Sequence, residues 1–242
     1  MKIQLAYYSA QGRRAINEDS VSILEFGNSV IAIVADGLGG HGDGEEASRA
    51  AIAAVNSDLQ NQPLSEAALH QAIRHANDAV LALQQQKGSD MKTTIAVLWI
   101  GKQTAIAANV GDSRIYQFRG GRIAYQSVDH SVAQVAVLVG EIGPDQIRNY
   151  PGRSQLVRAL GMDDNPKIDS CVLRMQSGDS FLICSDGFWE NIAEPEMCCY
   201  AMQGQEPKTW LRNMRNYVET NALKDLDNHS AIAVGLVNKP EY

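Results

Sequence analysis

At 242 residues, with 45% hydrophobic and 20% charged residues, the chain is long enough for one large domain with a substantial core. A formal net charge of −7 argues against non-specific nucleic-acid binding, which needs a basic face. No window approaches the roughly 20 apolar residues of a membrane span, and Met1-Lys2-Ile3-Gln4-Leu5 lacks the apolar core of a signal peptide. The four cysteines show no C-x-x-C spacing and two of them, Cys198 and Cys199, are neighbours, so the expectation is reduced thiols in a cytoplasmic protein.

Taken in order, Ile3 to Ser9 and Ser20 to Phe26 are short β-prone stretches, and Val30 to Ala35 is a continuous apolar run suited to a buried strand ending at Asp36. A glycine-rich loop, Asp36-Gly37-Leu38-Gly39-Gly40-His41-Gly42-Asp43-Gly44-Glu45, follows. Ordered glycine is entropically costly, so such a loop implies backbone brought close to a ligand or ion. Glu46 to Leu59 reads as a helix with Ala47, Ala50, Ala51, Ala54 and Val55 on one face. Pro63 is expected to open a second helix, with a stripe of Leu69, Ala72, Ile73, Ala76, Val80 and Leu83. His70 and His75 are five residues apart on it, off the spacing of a helical metal pair.

The middle of the chain changes to strand-like runs at Thr93 to Ile100, Ala105 to Val110, Arg114 to Phe118 and Arg122 to Gln126, with a hairpin expected at Gly120-Gly121. Asp129 to Gly161 breaks into short helical pieces and reads as an insertion or flap. Ile168 to Arg174, Ser180 to Cys184 and Ala231 to Val237 are strand-like, whereas Pro195 to Met202 and Pro207 to Asn221 are helical, the latter carrying Trp210, Met214 and Val218 on one face. Blocks of strands between pairs of helices predict an α+β fold, helices covering two stacked sheets, rather than a Rossmann order.

The chemistry lies in acids at strand ends. Glu18-Asp19 precede the second strand, Asp36 ends the third, Asp112 stands between two strand runs, Asp186 follows Phe181 to Ser185, and Asp227-Asn228 introduce the last strand. Any one of these could be an ordinary turn acid. Together they suit hard divalent ions such as Mg²⁺ or Mn²⁺, and no His or Cys is spaced for zinc. Two ions sharing a carboxylate, roughly 3.5–4 Å apart, would activate water and neutralise a phosphate. Arg14, four residues before Glu18, could supply a planar fork for phosphate oxygens. The pattern is that of a phosphate-ester hydrolase without a nucleophilic side chain.

These residues resemble the metal-dependent protein serine/threonine phosphatases of the PP2C (PPM) family in their compact bacterial form. Arg14-Ala15-Ile16-Asn17-Glu18-Asp19-Ser20 is similar to the R-x-x-N-E-D-S motif, and Val34 to His41 with Gly44-Glu45 and Ala47-Ser48 is similar to V-A-D-G-[ML]-G-G-H…G-E…A-S. Thr93-Thr94, Gly111 to Tyr116, Asp129-His130-Ser131, Arg158 to Gly161, Ser185-Asp186-Gly187 and Asp227-Asn228 follow in order. The resemblance implies a single domain over 1–242, an αββα sandwich of mainly antiparallel sheets with a flap over about 129–161. It implies that Asp36 bridges two Mn²⁺ or Mg²⁺ ions, that the Gly37 carbonyl ligates one, and that Asp186 and Asp227 complete the other's shell. Asp112, with Asp186, would hold a weaker third ion, Glu18 and Asp19 would orient waters, and Arg14 would bind the substrate phosphate.

Three departures stand out: Ala10 and Lys92 replace the usual Asp and Gly, and Leu38 occupies the place of a histidine that some eukaryotic members use as leaving-group acid. That proton would come from a bound water or from His41, whose other reading, holding the glycine loop by hydrogen bonds, is preferred. His130 and His229 are read as structural or as supporting the site. The implied partners are phosphoserine and phosphothreonine proteins made by a cognate kinase, with type VI secretion regulators among the candidates, acted on by a monomer. A pseudophosphatase or phosphoprotein-binding regulatory module is the alternative, disfavoured because a binding scaffold has no need of clustered like charges.

Overall fold

A computed structural model describes residues 2–39, 43–201, 206–222 and 225–237. His41 therefore lies outside the described residues. The first strands are β1 (Lys2–Ala10), β2 (Asp19–Phe26) and β3 (Ser29–Leu38), followed by helices α1 (Asp43–Leu59) and α2 (Glu66–Lys87). Then come β4 (Lys92–Thr93), β5 (Ile95–Ile100), β6 (Thr104–Val110), β7 (Arg114–Arg119) and β8 (Arg122–Gln126). A short helix α3 (Val132–Leu138) and a 3₁₀ turn (Pro144–Asn149) precede β9 (Asp169–Arg174) and β10 (Ser180–Cys184). The chain closes with α4 (Asp186–Trp189), α5 (Glu194–Ala201), α6 (Pro207–Asn221) and β11 (His229–Val237).

The strands form two sheets. One is five-stranded in the order β1-β11-β10-β7-β8; the other is six-stranded, β2-β3-β5-β6-β9 with β4 paired to β3. Every paired ladder in them is antiparallel. The apolar run of β3 is continuous because both of its faces are covered. Ile31, Ile33 and Ala35 pack with Ala47, Ala51 and Val55 of α1 and Leu69, Ile73 and Ala76 of α2. Val30, Ala32 and Val34 point the other way, to Phe181, Ile183, Ile232 and Val234 of the facing sheet. This is the two-residue period of a strand serving two cores. A third core places Trp210, Met214 and Val218 of α6 and Phe188 and Trp189 of α4 on the outer face of the five-stranded sheet. The result is the expected αββα sandwich.

Local boundaries differ from expectation: α1 begins at Asp43 rather than Glu46, Asp19 already belongs to β2, and the run Thr93 to Ile100 is split into β4 and β5. Helix α2 starts not at Pro63 but after Ser65, whose side chain accepts the Ala68 N–H as an N-cap, and it ends at Gly88 in a left-handed C-cap. Strand β3 does not end at Asp36: Gly37 and Leu38 continue it and pair with Thr93 and Lys92 of β4. Asp186-Gly187 is not a turn between elements but the opening of α4. Along α1, Ser48 and Ile52 are buried with Ala47, Ala51 and Val55, while Ala50 and Ala54 are only half-buried.

Candidate metal centre

The acids predicted at strand ends come together because the connections at one end of the sandwich pass between sheets. Residues 11–18 lead from β1 to β2, and Gly111-Asp112-Ser113 lead from β6 to β7, each crossing from one sheet to the other. Asp186 follows β10 and Asp227 precedes β11, neighbouring strands in the five-stranded sheet. In the other sheet Asp19 is the direct cross-strand partner of Asp36. A cavity of about 490 Å³ opens at this end, lined by Arg14, Glu18, Asp36, Gly37, Asp112, Asp186 and Asp227. Thr94, Ser154, Leu156 and Asn228 also line it. Ser154 and Leu156 carried no sequence signal, since they belong to an irregular segment without period or motif.

The backbone around Asp36 is closely held. Its N–H donates to Thr94 Oγ1 at 3.0 Å, and its carbonyl accepts from the Thr94 N–H at 2.8 Å and from Thr93 Oγ1 at 2.9 Å. Gly37 donates its N–H to the Glu18 carbonyl at 3.1 Å. A Cβ at Gly37 would lie 2.0 Å from the Gly44 carbonyl oxygen. Glycine is required there because α1 approaches it. Glu18 anchors that approach: Oε1 accepts the Gly44 N–H at 3.2 Å and its carbonyl accepts Ser48 Oγ at 2.7 Å.

Asp227 is doubly engaged. Oδ2 accepts from Arg14 at 2.5 Å and Oδ1 from the Asn228 N–H at 2.8 Å. Asn228 in turn donates to the carbonyls of Gln11 and Ile16 and accepts the Glu18 N–H, pinning the loop that carries Arg14. Asp19 is buried and is absent from the cavity lining. Its Oδ2 accepts from Ser185 Oγ at 2.7 Å, while Oδ1 is buried without a partner. Asp112 is 4% exposed, and its carbonyl accepts Trp189 Nε1 at 2.9 Å.

This concentration of acid is electrostatically unbalanced. Burial, followed by the charges of Asp19, Asp186 and Asp112, pushes the Asp36 carboxyl well above the ordinary range. Burial and the charges of Asp186 and Asp129 do the same to Asp112. Burial with Glu190 and Asp227 raises Asp186 to about 6, and burial raises Asp19 to about 7 against the hydroxyl bonds that lower it. The cationic side chain lining the cavity, Arg14, is bound to Asp227. The donor set, oxygen-rich and short of positive charge, fits divalent cations. Among the described residues, no three His, Cys, Asp or Glu side chains surround one ion position.

Comparison with known proteins decides the family. The protein phosphatase 2C family model matches residues 8–227. The chain belongs to this family. It is 32% identical over 191 residues to the serine/threonine phosphatase stp of Listeria monocytogenes, covering 75% of each chain. The catalytic domain of the serine/threonine protein phosphatase PstP, solved in complex with two manganese ions, superposes with a TM-score of 0.83 at 27% identity, over 98% of this chain and 99% of that one. PppA, described as a key regulatory component of the type VI secretion system in Pseudomonas aeruginosa, superposes with a TM-score of 0.82 at 26% identity, over 97% and 98% of the two chains. Divalent metal use accords with these likenesses.

Proposed function

We propose that this chain is a serine/threonine protein phosphatase that hydrolyses phosphoserine and phosphothreonine monoesters with bound Mn²⁺ or Mg²⁺. The observation that carries the reading is the convergence of Asp36, Asp112, Asp186 and Asp227 on one cavity beside Arg14. Asp36 and the Gly37 carbonyl, with Asp186 and Asp227, would hold two ions, and Asp112 with Asp186 a weaker third. When bound, such ions supply a nucleophile from water at neutral pH and neutralise phosphate charge.

The chain's own residues do the rest. Arg14 is exposed and spends one nitrogen on Asp227, which leaves other N–H donors of its fork for substrate phosphate oxygens. Glu18 lines the cavity and can accept from an attacking or ligating water, while Asp19 braces the site from behind through Ser185. Leu38, which lines the cavity, cannot donate a proton to the leaving alkoxide, so that proton would come from a bound water or from His41. Residues 129–161 act as a flap on a single catalytic domain, presenting Ser154 and Leu156 to the cavity.

Likeness to PppA supports a finer reading in which regulators of a type VI secretion system are substrates, opposed by a cognate kinase. We place the protein, as a monomer, in the cytoplasm with that kinase. Among the described residues no helix is long and apolar enough to cross a membrane. The test is hydrolysis of a phosphothreonine peptide by wild type and Asp36→Asn, with and without Mn²⁺. Loss of nearly all Mn²⁺-dependent turnover in the variant is expected, and undiminished turnover would remove the bridging role of Asp36. Absent hydrolysis by the wild type would favour the phosphoprotein-binding module, and metal-independent hydrolysis would refute the metal-dependent mechanism.

A further inference from the structure

The turn that carries Asp112 is held by a residue outside the cavity. The Gly111 N–H donates to His130 Nδ1 at 3.1 Å, and the backbone N–H of His130 donates back to the Gly111 carbonyl at 2.9 Å. His130 is 4% exposed, and it is absent from the cavity lining. A nitrogen that accepts an N–H bond carries no proton, so the ring proton of a neutral His130 must be on Nε2. Nε2 faces Asp169 Oδ2 at 3.3 Å, which provides the acceptor for that proton. Arg158 Nη1 donates to Asp169 Oδ1 at 3.0 Å and holds the carboxylate in place. With the proton on Nε2, the 3.3 Å approach of Arg158 Nη1 to the same nitrogen sets two donors together and is no hydrogen bond. Burial lowers the imidazole pKa, in keeping with a neutral ring. The other side of the turn is fixed by Trp189, through the Asp112 carbonyl.

We propose that His130 is a positioning residue: as the Nε2–H tautomer oriented by Asp169, it fixes the Gly111–Asp112 backbone so that Asp112 faces the cavity. The effect on the reaction rests on the reading of Asp112 as an ion ligand; the effect on the turn does not. Two substitutions divide the ring's functions. His130→Asn places an amide oxygen near the position of Nδ1 and can still accept from Gly111. His130→Gln places its terminal amide near the position of Nε2 and leaves the Gly111 N–H without its acceptor.

Gly111 amide exchange is measured by NMR in the metal-free variants, with Mn²⁺ affinity by calorimetry and kcat and KM on a phosphothreonine peptide. Expected for His130→Gln are fast exchange at Gly111, a weaker-site Mn²⁺ affinity and kcat each lowered about 10–100-fold, and an unchanged KM. His130→Asn should recover most of the exchange protection and of kcat. Equal losses in both variants, or wild-type exchange at Gly111 in His130→Gln, would overturn the proposal. If His130→Gln does not fold, imidazole ¹⁵N spectra of the unmutated protein decide, since an Nδ1–H ring or an imidazolium at pH 7 overturns the assignment. Asp112→Ala separates the two readings. Full turnover and Mn²⁺ binding there would refute the ligand role of Asp112, whereas Gly111 exchange would still report on His130.

Discussion

At the scale of single residues, the candidate centre depends on backbone positions as much as on carboxylates. Gly111 has φ +108°, and a Cβ there would lie 2.6 Å from Thr94 Cβ. Thr94 is itself committed: its hydroxyl accepts the Asp36 N–H and shares a 2.7 Å bond with Ser113 Oγ. Gly111→Ala therefore forces a strained φ and pushes the residue that holds Asp36. Chemical denaturation should show a loss of about 1–3 kcal/mol, together with reduced Mn²⁺-dependent activity. A variant as stable as wild type would show that the turn has room. The identities of Arg14, Asp36, Asp112, Asp186 and Asp227 were legible as acids and a base at strand ends and in motifs. The Arg14–Asp227 pair was not, because its members are 213 positions apart and nothing local links them.

At the scale of elements, a buried ionic network joins α4 and α5 to the start of the 129–161 segment. Arg114 on β7 makes a bidentate pair with Asp129, at 2.8 and 2.7 Å, with both side chains almost fully buried. Its guanidinium lies 3.4 Å from the ring centroid of Trp189 on α4, and Glu194 on α5 accepts from both Arg114 and Arg148. Trp189 closes the circuit on the Asp112 carbonyl, so the helix that begins with Asp186 is clamped against the turn that carries Asp112. Removing one member leaves a buried charge without its partner. Asp129→Ala should cost about 3–5 kcal/mol in urea unfolding, far more than an exposed pair such as Arg215–Glu219, worth about 0–1 kcal/mol. A loss below about 1 kcal/mol would mean that Glu194 alone balances Arg114. The elements themselves were largely readable, since α2, α6 and β3 follow their helical and strand periods. Their ends were less so: Ser65 rather than Pro63 starts α2, and β3 runs past Asp36 because β4 offers it a partner.

At the scale of the whole molecule, two sheets direct their connecting loops to one end and concentrate acid there. In metal-free protein, Asp186 is raised to about 6 and Asp19 to about 7, above the ordinary carboxylate value near 4. The folded state then binds protons that the unfolded chain has already released. The stability linked to these groups is complete below about pH 4 and is lost as pH rises through about 6–7. Calorimetry of EDTA-treated protein should show a melting temperature that falls between pH 5 and pH 8. Saturating Mn²⁺ should abolish the fall, because the ions replace the protons as counter-charge. A flat profile in the metal-free protein would contradict the raised values.

By itself the sequence determined what is periodic or local: helices from a 3.6-residue stripe, a doubly buried strand from an unbroken apolar run, acids at strand ends, and the motifs that resemble a phosphatase family. Each depends on residues a few positions apart, so each is written in the order of the chain. Tertiary structure alone decided which ends meet. Strand order set Asp19 opposite Asp36 and Asp186 beside Asp227, an irregular segment brought Ser154 and Leu156 to the cavity, and His130 came against Gly111. Those encounters follow from how two sheets stack and which connections cross between them, and no short window of sequence contains that information.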